Sequence, residues 1–194
     1  MGINKIGILG GTLDPIHTAH IKLAEIAAKE CNLDKVLFIP AGTPWMKKDS
    51  LITSSEHRLN MVNLAIENIS TFYSSDIEIK RQGNTYTIDT LKELDIDRFH
   101  TEYYLILGSD SYKEINRWKN PEKIIEMVGI ILFNRKGDPP PETINQSVFI
   151  IKEEIEDISS TIIRTKVKNK DSLQGLVPQN VEEYIFTNNL YNSK

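Results

Sequence analysis

The sequence is poor in several features that mark particular classes of protein. Cys31 is its only cysteine, which excludes an intramolecular disulfide and a cysteine-based zinc site. No apolar run reaches the roughly 18 residues that a transmembrane helix needs, and no apolar signal region precedes the first predicted strand. We therefore expect a cytoplasmic protein without a membrane partner, in which Cys31 packs on a helix.

An excess of positive charge is also missing. The chain of 194 residues carries 23 lysines and arginines against 27 aspartates and glutamates, which gives a net charge of −4. This balance provides no general electrostatic attraction for nucleic acid, so we expect no nucleic-acid partner. A few local basic side chains can still hold a small phosphate-bearing substrate. The composition leaves the oligomeric state open, and a homo-oligomer is compatible with it.

The chain does have a regular alternation of strand-like and helix-like segments. Alternation of this kind predicts βαβ units and an α/β fold with a mainly parallel sheet. The hydrophobic content of 40% suffices for one core. We therefore expect a single domain over residues 1–194, with residues 159–194 as its C-terminal helical part. Strands are predicted over residues 5–9, 36–39, 77–79, 103–107, 130–133 and 148–151. Helices are predicted over residues 17–31, 85–94, 159–169 and 181–186. Two further helices are predicted to begin at residue 121 and at a capping box that starts with Thr53.

The first predicted strand leads into a turn rich in glycine. Gly10, Gly11 and Thr12 follow the apolar residues 6–9, and His17 and His20 stand at the start of the predicted helix. Glycines let backbone N–H groups approach an anion closely, and the dipole of the helix favours negative charge at the same place. The two histidines, three positions apart, lie on one helix face. A tight βα turn with packing histidines is the ordinary alternative, but the complete string favours a phosphate site.

A second polar group, Ser159, Ser160 and Thr161, stands at another predicted helix start, with Arg164 one turn further along. Hydroxyl groups at a helix N-terminus and a forked guanidinium are suitable donors for phosphate oxygens. Ordinary N-capping is the alternative explanation of the three hydroxyls. Together with the glycine turn, these residues favour a nucleotide site with two sets of phosphate donors.

These motifs and their spacing resemble the bacterial nicotinate-mononucleotide adenylyltransferases, which are nucleotidyltransferases with a Rossmann-like, doubly wound fold. The resemblance extends over nearly the full chain. Taken alone, Arg58 would be a surface charge on a helix. The matching positions are residues 10–20, Lys47, Arg58, residues 85–90, residues 108–110, Trp118 and residues 158–164.

The resemblance implies a reaction in which the phosphate of nicotinate mononucleotide attacks the α-phosphate of ATP, giving deamido-NAD and pyrophosphate. The attacking phosphate is already largely a dianion at pH 7, because its second pKa is about 6. The reaction then needs neither a side-chain base nor a covalent enzyme intermediate, but only alignment and neutralisation of charge. Mg²⁺ is expected to bind mainly through the phosphates of ATP, without a metal ligand from the protein.

The resemblance also implies a role for each matching residue. The catalytic residues are expected to be His17, His20 and Arg164. The ATP phosphates are expected to contact these three together with Gly10, Gly11, Thr12, Ser159, Ser160 and Thr161. The acceptor nucleotide is expected to contact Lys47, Thr85, Tyr86, Thr87, Gly108, Asp110 and Trp118, with the indole of the tryptophan stacked on the pyridine ring.

The chain departs from the family pattern at three places. Leu13 stands where the family usually has phenylalanine, which is a mild apolar exchange. Ala19 stands where the family usually has glycine between the two histidines, and it adds a methyl group there. Residues 44–47 read Pro-Trp-Met-Lys and lack the histidine that the family commonly has in this loop.

Other functions also fit parts of the pattern. One alternative is a sibling adenylyltransferase that acts on nicotinamide mononucleotide or phosphopantetheine, and another is a nucleotide-binding regulator without turnover. An NAD-dependent dehydrogenase is disfavoured, because residues 10–12 lack the G-x-G-x-x-G pattern of dinucleotide-binding turns.

Overall fold

Six parallel strands form one sheet at the centre of the molecule. The computed structural model describes residues 3–44, 52–94, 100–133, 148–152 and 158–192. The sheet has the strand order β4-β2-β1-β6-β7-β8, and a separate pair joins β3 to β5. The strands are β1 (Asn4–Gly11), β2 (Lys35–Pro40), β3 (Thr43–Pro44), β4 (Phe72–Ser74), β5 (Asn84–Thr85), β6 (Thr101–Gly108), β7 (Gly129–Phe133) and β8 (Val148–Ile151).

Helices connect these strands in the alternation that the sequence predicts. Within the described ranges, no helix is both long and apolar enough to cross a membrane. A short 3-10 turn, Ile115–Arg117, precedes α6. The helices are α1 (Thr18–Glu30), α2 (Ser55–Ile66), α3 (Ile77–Lys80), α4 (Thr87–Leu94), α5 (Ser109–Lys113), α6 (Pro121–Met127), α7 (Ser160–Asn169) and α8 (Gln179–Thr187).

The strand order confirms the expected Rossmann-like, doubly wound α/β fold. From β1 the chain first adds β2 and β4 on one side of the sheet, and then returns to add β6, β7 and β8 on the other. In β1, Ile8 lies opposite Leu37 of β2 and Leu105 of β6. The connections leave the sheet in opposite directions where the order reverses, between β1 and β6. This arrangement opens a crevice beyond the carboxyl ends of these strands, where ligands bind in such sheets.

Successive residues of the central strands enter two different hydrophobic clusters. Leu9 and Ile106 belong to the cluster that contains buried residues of α1, α2, α7 and α8. Ile8, Leu105 and Leu107 belong to the cluster that contains buried residues of α4, α5 and α6. Because side chains alternate along a strand, the two clusters lie on opposite faces of the sheet. Burial on both faces explains the unbroken apolar runs of the central strands.

The strand predicted over residues 77–79 is wrong. Residues Ile77–Lys80 form the single helical turn α3, and the edge strand β4 ends three residues earlier. The Ile77 amide donates to Ser75 Oγ at 3.3 Å, and the Lys80 amide donates to the Asp76 carbonyl at 2.9 Å. Local hydrogen bonds thus satisfy this backbone without a sheet partner, although its alternating sequence is typical of a strand.

The start of α2 also differs from the prediction, by one residue. Ser54, not Thr53, is the N-cap, and its hydroxyl accepts a hydrogen bond from the His57 amide. Thr53 has a different role, because its amide donates to the Asp14 carboxylate at 3.1 Å and its carbonyl accepts from Arg58 Nε at 3.0 Å. One of the two partners of Thr53, Asp14, is 39 residues away in sequence, and no local pattern reveals that contact.

The turn between β2 and β3 requires glycine at position 42. A Cβ added to Gly42 would overlap the carbonyl oxygen of Glu78 and would lie 2.9 Å from its carbonyl carbon. The obstacle is backbone, so it cannot rotate away as a side chain can. This close approach holds α3 against the turn and so positions the pair of strands β3 and β5.

We expect the substitution Gly42→Ala to lower the free energy of unfolding by about 2 kcal/mol or more, because two backbone segments must separate. Gly108→Ala is the matched control, since its φ is −78° and an added Cβ meets no atom within 4 Å. Its effect should stay within about 1 kcal/mol. Urea unfolding of the three proteins measures the difference, and equal effects of the two substitutions would contradict the steric explanation.

Candidate active site

The glycine turn lies at the carboxyl end of β1, as the sequence predicts. Gly11 is the last residue of the strand and has a φ of 153°, a conformation that L side chains rarely adopt. A Cβ added there would meet no atom within 4 Å, so the space beside this backbone is open to a ligand. His17 is the N-cap of α1, and Ala19 is buried in the first turn of this helix.

The two predicted catalytic histidines stack on each other at the start of α1. Their ring centroids are 3.6 Å apart, with an interplanar angle of 28°. His20 Nδ1 accepts a hydrogen bond from the His17 backbone amide at 3.3 Å. In a neutral ring this bond places the proton of His20 on Nε2. The buried Nδ1 of His17 has no hydrogen-bond partner among the residues that the structure describes.

Burial sets the charge of both imidazoles. Loss of hydration lowers the pKa of His17 from 6.5 to about 4. The pKa of His20 also lies well below the usual value, first because of burial and second because of the neighbouring His17. Both rings are therefore neutral at pH 7 in the free protein. They offer N–H donors to a phosphate rather than full positive charges.

The second predicted set of phosphate donors, at the start of α7, packs directly on the loop after β1. Ser160 Oγ donates to the Pro15 carbonyl at 2.9 Å, and Arg164 Nη1 donates to the Asp14 carbonyl at 2.8 Å. Arg164 Nη2 also donates to Thr161 Oγ1 at 3.1 Å. The structure thus brings the start of α7 and the loop that carries His17 together, although about 145 residues separate them in the chain.

Ser159 has the ordinary capping role that was the alternative explanation. Its hydroxyl accepts from the Ile162 amide at 3.3 Å and so completes the N-cap of α7. The hydroxyls of this group therefore have partners within the protein. The donors of α7 that remain for a ligand are the first backbone amides of the helix, which have no partner within it, and the remaining N–H groups of Arg164.

Arg58 is buried and connects three backbone segments, and it is not the surface charge that its sequence context predicts. Only 1% of the residue is exposed. Its guanidinium donates to the carbonyls of Thr53 at 3.0 Å, Thr12 at 2.8 Å and Gly42 at 3.1 Å. Burial lowers the pKa of Arg58, and the nearby Asp14 carboxylate counteracts that effect. The loops that follow β1 and β2 are thereby tied to the start of α2.

Asp14 is a second organising residue that the sequence did not single out. Its carboxylate is buried and accepts hydrogen bonds from the Thr53 amide at 3.1 Å and from the Tyr191 hydroxyl at 2.7 Å. Burial, followed by the Asp14 charge, raises the pKa of Tyr191, so the hydroxyl remains a donor at neutral pH. Nothing in the local sequence links positions 14 and 191, which only the tertiary fold brings into contact.

A cavity of about 330 Å³ opens at the carboxyl ends of the central strands. Gly10, Gly11 and Thr12 form one side of it. The described acceptor candidates divide into two groups. Thr85, Tyr86, Thr87 and Trp118 line the cavity, whereas Gly108 and Asp110 lie at the end of β6 and in the first turn of α5, beside the lining residue Ser111. Lys47 lies outside the described residues.

Further polar residues, to which the sequence analysis assigned no role, complete the wall near α4. Thr90 Oγ1 donates to Glu78 Oε1 at 2.7 Å and accepts from Arg81 Nη1 at 3.1 Å. Arg81 Nε binds Glu93 at 2.8 Å. Glu78, Thr90 and Lys119 all line the cavity. In the described part of the chain, no cluster of three histidine, cysteine or acidic side chains could hold a metal ion.

The buried histidines should make stability depend on pH. Between pH 6.5 and about 4, the His17 imidazole binds a proton in the unfolded chain but not in the folded protein, and the lowered pKa of His20 acts in the same direction, so the free energy of unfolding falls as the pH falls. Each such group contributes about 1.4 kcal/mol per pH unit in this window.

Urea unfolding of the wild type and of His17→Asn between pH 4 and 8 tests this expectation. The substitution removes one of the two imidazoles that bind a proton only on unfolding. Below pH 6.5, the free energy of unfolding of the variant should therefore depend on pH less steeply, by about 1.4 kcal/mol per pH unit. Above that pH the two curves should run parallel. Equal slopes over the acidic range would show that His17 is not buried in its neutral form.

Comparison with known proteins agrees with this architecture. The chain matches a family model described as cytidylyltransferase-like over residues 8–166. It is 42% identical over 197 residues to a probable nicotinate-nucleotide adenylyltransferase of Dehalococcoides mccartyi, covering 96% of this chain and 97% of that protein. A relative of the same name in Clostridium novyi is 36% identical over 199 residues, with 97% and 100% coverage.

Among solved structures, the fold is similar to that of the Plasmodium falciparum nicotinic acid mononucleotide adenylyltransferase complexed with NaAD. The two chains superimpose with a TM-score of 0.84 over 98% of each, at 23% identity. The structural likeness establishes the fold, and the full-length relatives establish the family. The chain therefore belongs to the cytidylyltransferase-like proteins and, within them, to the nicotinate-nucleotide adenylyltransferase family.

Proposed function

We propose that this protein transfers AMP from ATP to nicotinate mononucleotide, releasing pyrophosphate and deamido-NAD, as a step of NAD biosynthesis. The observation that carries the proposal is the cavity at the β1–β6 switch point. It combines a glycine turn suited to phosphate with an aromatic wall suited to a pyridine ring. The full-length relatives at 33–42% identity support the same reaction.

In this proposal the acceptor's own phosphate is the nucleophile. Because that phosphate is largely ionised at pH 7, no side chain has to remove a proton before attack. The protein contributes alignment of the attacking and leaving oxygens, and hydrogen-bond donors for the charge that develops on the α-phosphate. Mg²⁺ enters as part of the Mg–ATP substrate.

We assign the ATP phosphates to the donors around the loop after β1. The Gly10–Thr12 backbone and the start of α1 lie on one side, and Arg164 with the first amides of α7 lies on the other. His20 presents Nε2–H to the α-phosphate, because its Nδ1 is already occupied by the His17 amide. His17 is assigned to the ATP phosphates on the family resemblance.

We assign the acceptor to the other side of the cavity. The Trp118 indole stacks on the pyridine ring, and the Thr85–Thr87 segment receives the ring carboxylate near the start of α4, where the helix dipole favours an anion. The Thr85 hydroxyl is within 3.4 Å of the Thr43 carbonyl, so backbone amides are the more available donors. Asp110 is assigned to the ribose and Lys47 to the acceptor phosphate, on the family resemblance.

We also propose that residues 1–194 form one domain, with residues 159–194 as its C-terminal helical part. Buried residues of α7 and α8 belong to the same hydrophobic cluster as those of α1 and α2. Side-chain bonds reinforce this packing, including Asn180 Nδ2 to the Leu64 carbonyl at 2.7 Å and His57 Nδ1 with the Tyr184 hydroxyl at 2.8 Å.

Pyrophosphate release tests the reaction directly. The purified protein is incubated with Mg–ATP and either nicotinate mononucleotide or nicotinamide mononucleotide, and the dinucleotide product is identified by mass. We expect product with nicotinate mononucleotide and a lower kcat/KM with the amide. Release with neither acceptor would exclude this function, and a preference for the amide would favour the sibling enzyme.

Loss of the His20 imidazole should impair the chemical step. We expect His20→Ala to lower kcat by at least about 100-fold, as removal of a single oxyanion donor does in other enzymes. His100→Ala is the control, because His100 precedes β6 at the opposite end of the sheet. Near-normal turnover of His20→Ala, with an unchanged unfolding midpoint, would show that His20 does not contact the reacting phosphate.

A further inference from the structure

Lys119 brings a positive charge to the wall of the cavity. It follows Trp118 directly and lines the cavity with it. Its ammonium nitrogen lies 2.8 Å from Asp89 Oδ2 and 4.6 Å from the centroid of the Tyr86 ring. Tyr86 and Asp89 flank the first residues of α4. The ammonium therefore lies against Tyr86 and Asp89 at the start of α4.

Lys119 differs in charge from every other described residue that lines the cavity. Among the lining residues in the part of the chain that the structure describes, it is the single cation, and Glu78 is the single carboxylate. Glu78 is engaged by the Thr90 hydroxyl at 2.7 Å. The remaining lining residues are apolar, glycine, hydroxyl-bearing or aromatic. An anionic group that enters this wall therefore has one nearby charge of opposite sign.

The ion pair with Asp89 leaves the ammonium able to bind a ligand. The Lys119 side chain is 45% exposed and the Asp89 side chain 30% exposed, and pairs in such positions contribute little to stability. An ammonium has three N–H donors, and Asp89 accepts one of them. Asp89 and the Tyr86 ring restrict where the group can lie, which lowers the conformational entropy lost when it binds an anion.

We propose that Lys119 is a specificity-determining residue, whose ammonium selects an acceptor with a ring carboxylate over one with a carboxamide. The inference rests on the proposed function. Nicotinate and nicotinamide mononucleotides share the ribose and the phosphate and differ in this one group. A cation beside the Trp118 wall stabilises the charged carboxylate and provides no comparable stabilisation for the neutral amide.

The substitution Lys119→Met tests the proposal, because it keeps the aliphatic stem and removes the charge. We expect kcat/KM for nicotinate mononucleotide to fall about threefold to fivefold, the upper end of the effect of one partly exposed charged pair, and kcat/KM for the amide to change less than twofold. Lys119→Arg should retain most of the preference. Lys123→Met, at an exposed lysine of α6, is the matched control for net charge and should leave the ratio unchanged.

The outcomes separate the roles that Lys119 could have. An equal loss with both acceptors would overturn the proposal, since it would place Lys119 at the shared phosphate or in the fold, and unfolding midpoints would tell these two apart. An unchanged acid-to-amide ratio would also overturn it.

A binding measurement keeps the inference separate from the proposed reaction. Calorimetric titration of each mononucleotide without ATP should show tighter binding of the acid by the wild type, and loss of that difference in Lys119→Met. If the wild type makes no product but shows this binding pattern, the reaction assignment fails and the Lys119 assignment stands. Equal binding of acid and amide by the wild type would overturn the Lys119 assignment.

Discussion

The guanidinium of Arg58 donates to backbone carbonyls of Thr12, Gly42 and Thr53, and through them it joins the segments that follow β1 and β2 to the start of α2. A buried cation costs several kcal/mol unless its donors are satisfied and an opposite charge is near. Here three carbonyls accept its hydrogen bonds and the Asp14 carboxylate lies close by. Movement of one of these segments would remove the carbonyl acceptor from a buried N–H group of the guanidinium. The geometry of the glycine turn therefore depends on Arg58, which does not line the cavity.

The chemistry of the site follows from the same burial. A doubly wound sheet buries both of its faces, so the start of α1 and its two histidines lie in an environment of low polarity. Loss of hydration keeps His17 and His20 neutral. Neutral N–H donors, helix termini and one guanidinium suit a reaction whose nucleophile arrives already charged. An acid–base pair tuned near pH 7 would serve no step of the transfer that we propose.

The sequence predicts the fold well where the pattern is long and repeated. The apolar runs of β1, β2, β6, β7 and β8, with helices between them, indicate a parallel sheet. The error at Ile77–Lys80 has a physical reason, because four residues are too few for either periodicity to be decisive, and local bonds from Ser75 and Asp76 determined the outcome.

The structure brings several of the contiguous motifs together, whereas the contacts between residues far apart in sequence were not predicted. Thr85, Tyr86, Thr87 and Trp118 meet the glycine turn in one cavity, as the family pattern implies. Arg58 reaches Thr12 across 46 residues of sequence, Lys119 reaches Asp89 across 30, and Tyr191 reaches Asp14 across 177. Such contacts leave no local periodicity, and a single sequence therefore does not reveal them.

The docking of α7 and of Tyr191 on the loop after β1 has a consequence for the order of folding. Ser160, Arg164 and Tyr191 reach Pro15 and Asp14 across 145, 150 and 177 residues, and Thr18 reaches Leu176 across 158. Contacts of such separation form late, because the entropy of closing the intervening chain must be lost first. The loop after β1 thus lacks its partners in α7 and at Tyr191 until the C-terminal segment has docked. Nucleotide binding would then begin only when the last helices have docked, so ATP binds and stabilises the completed fold alone.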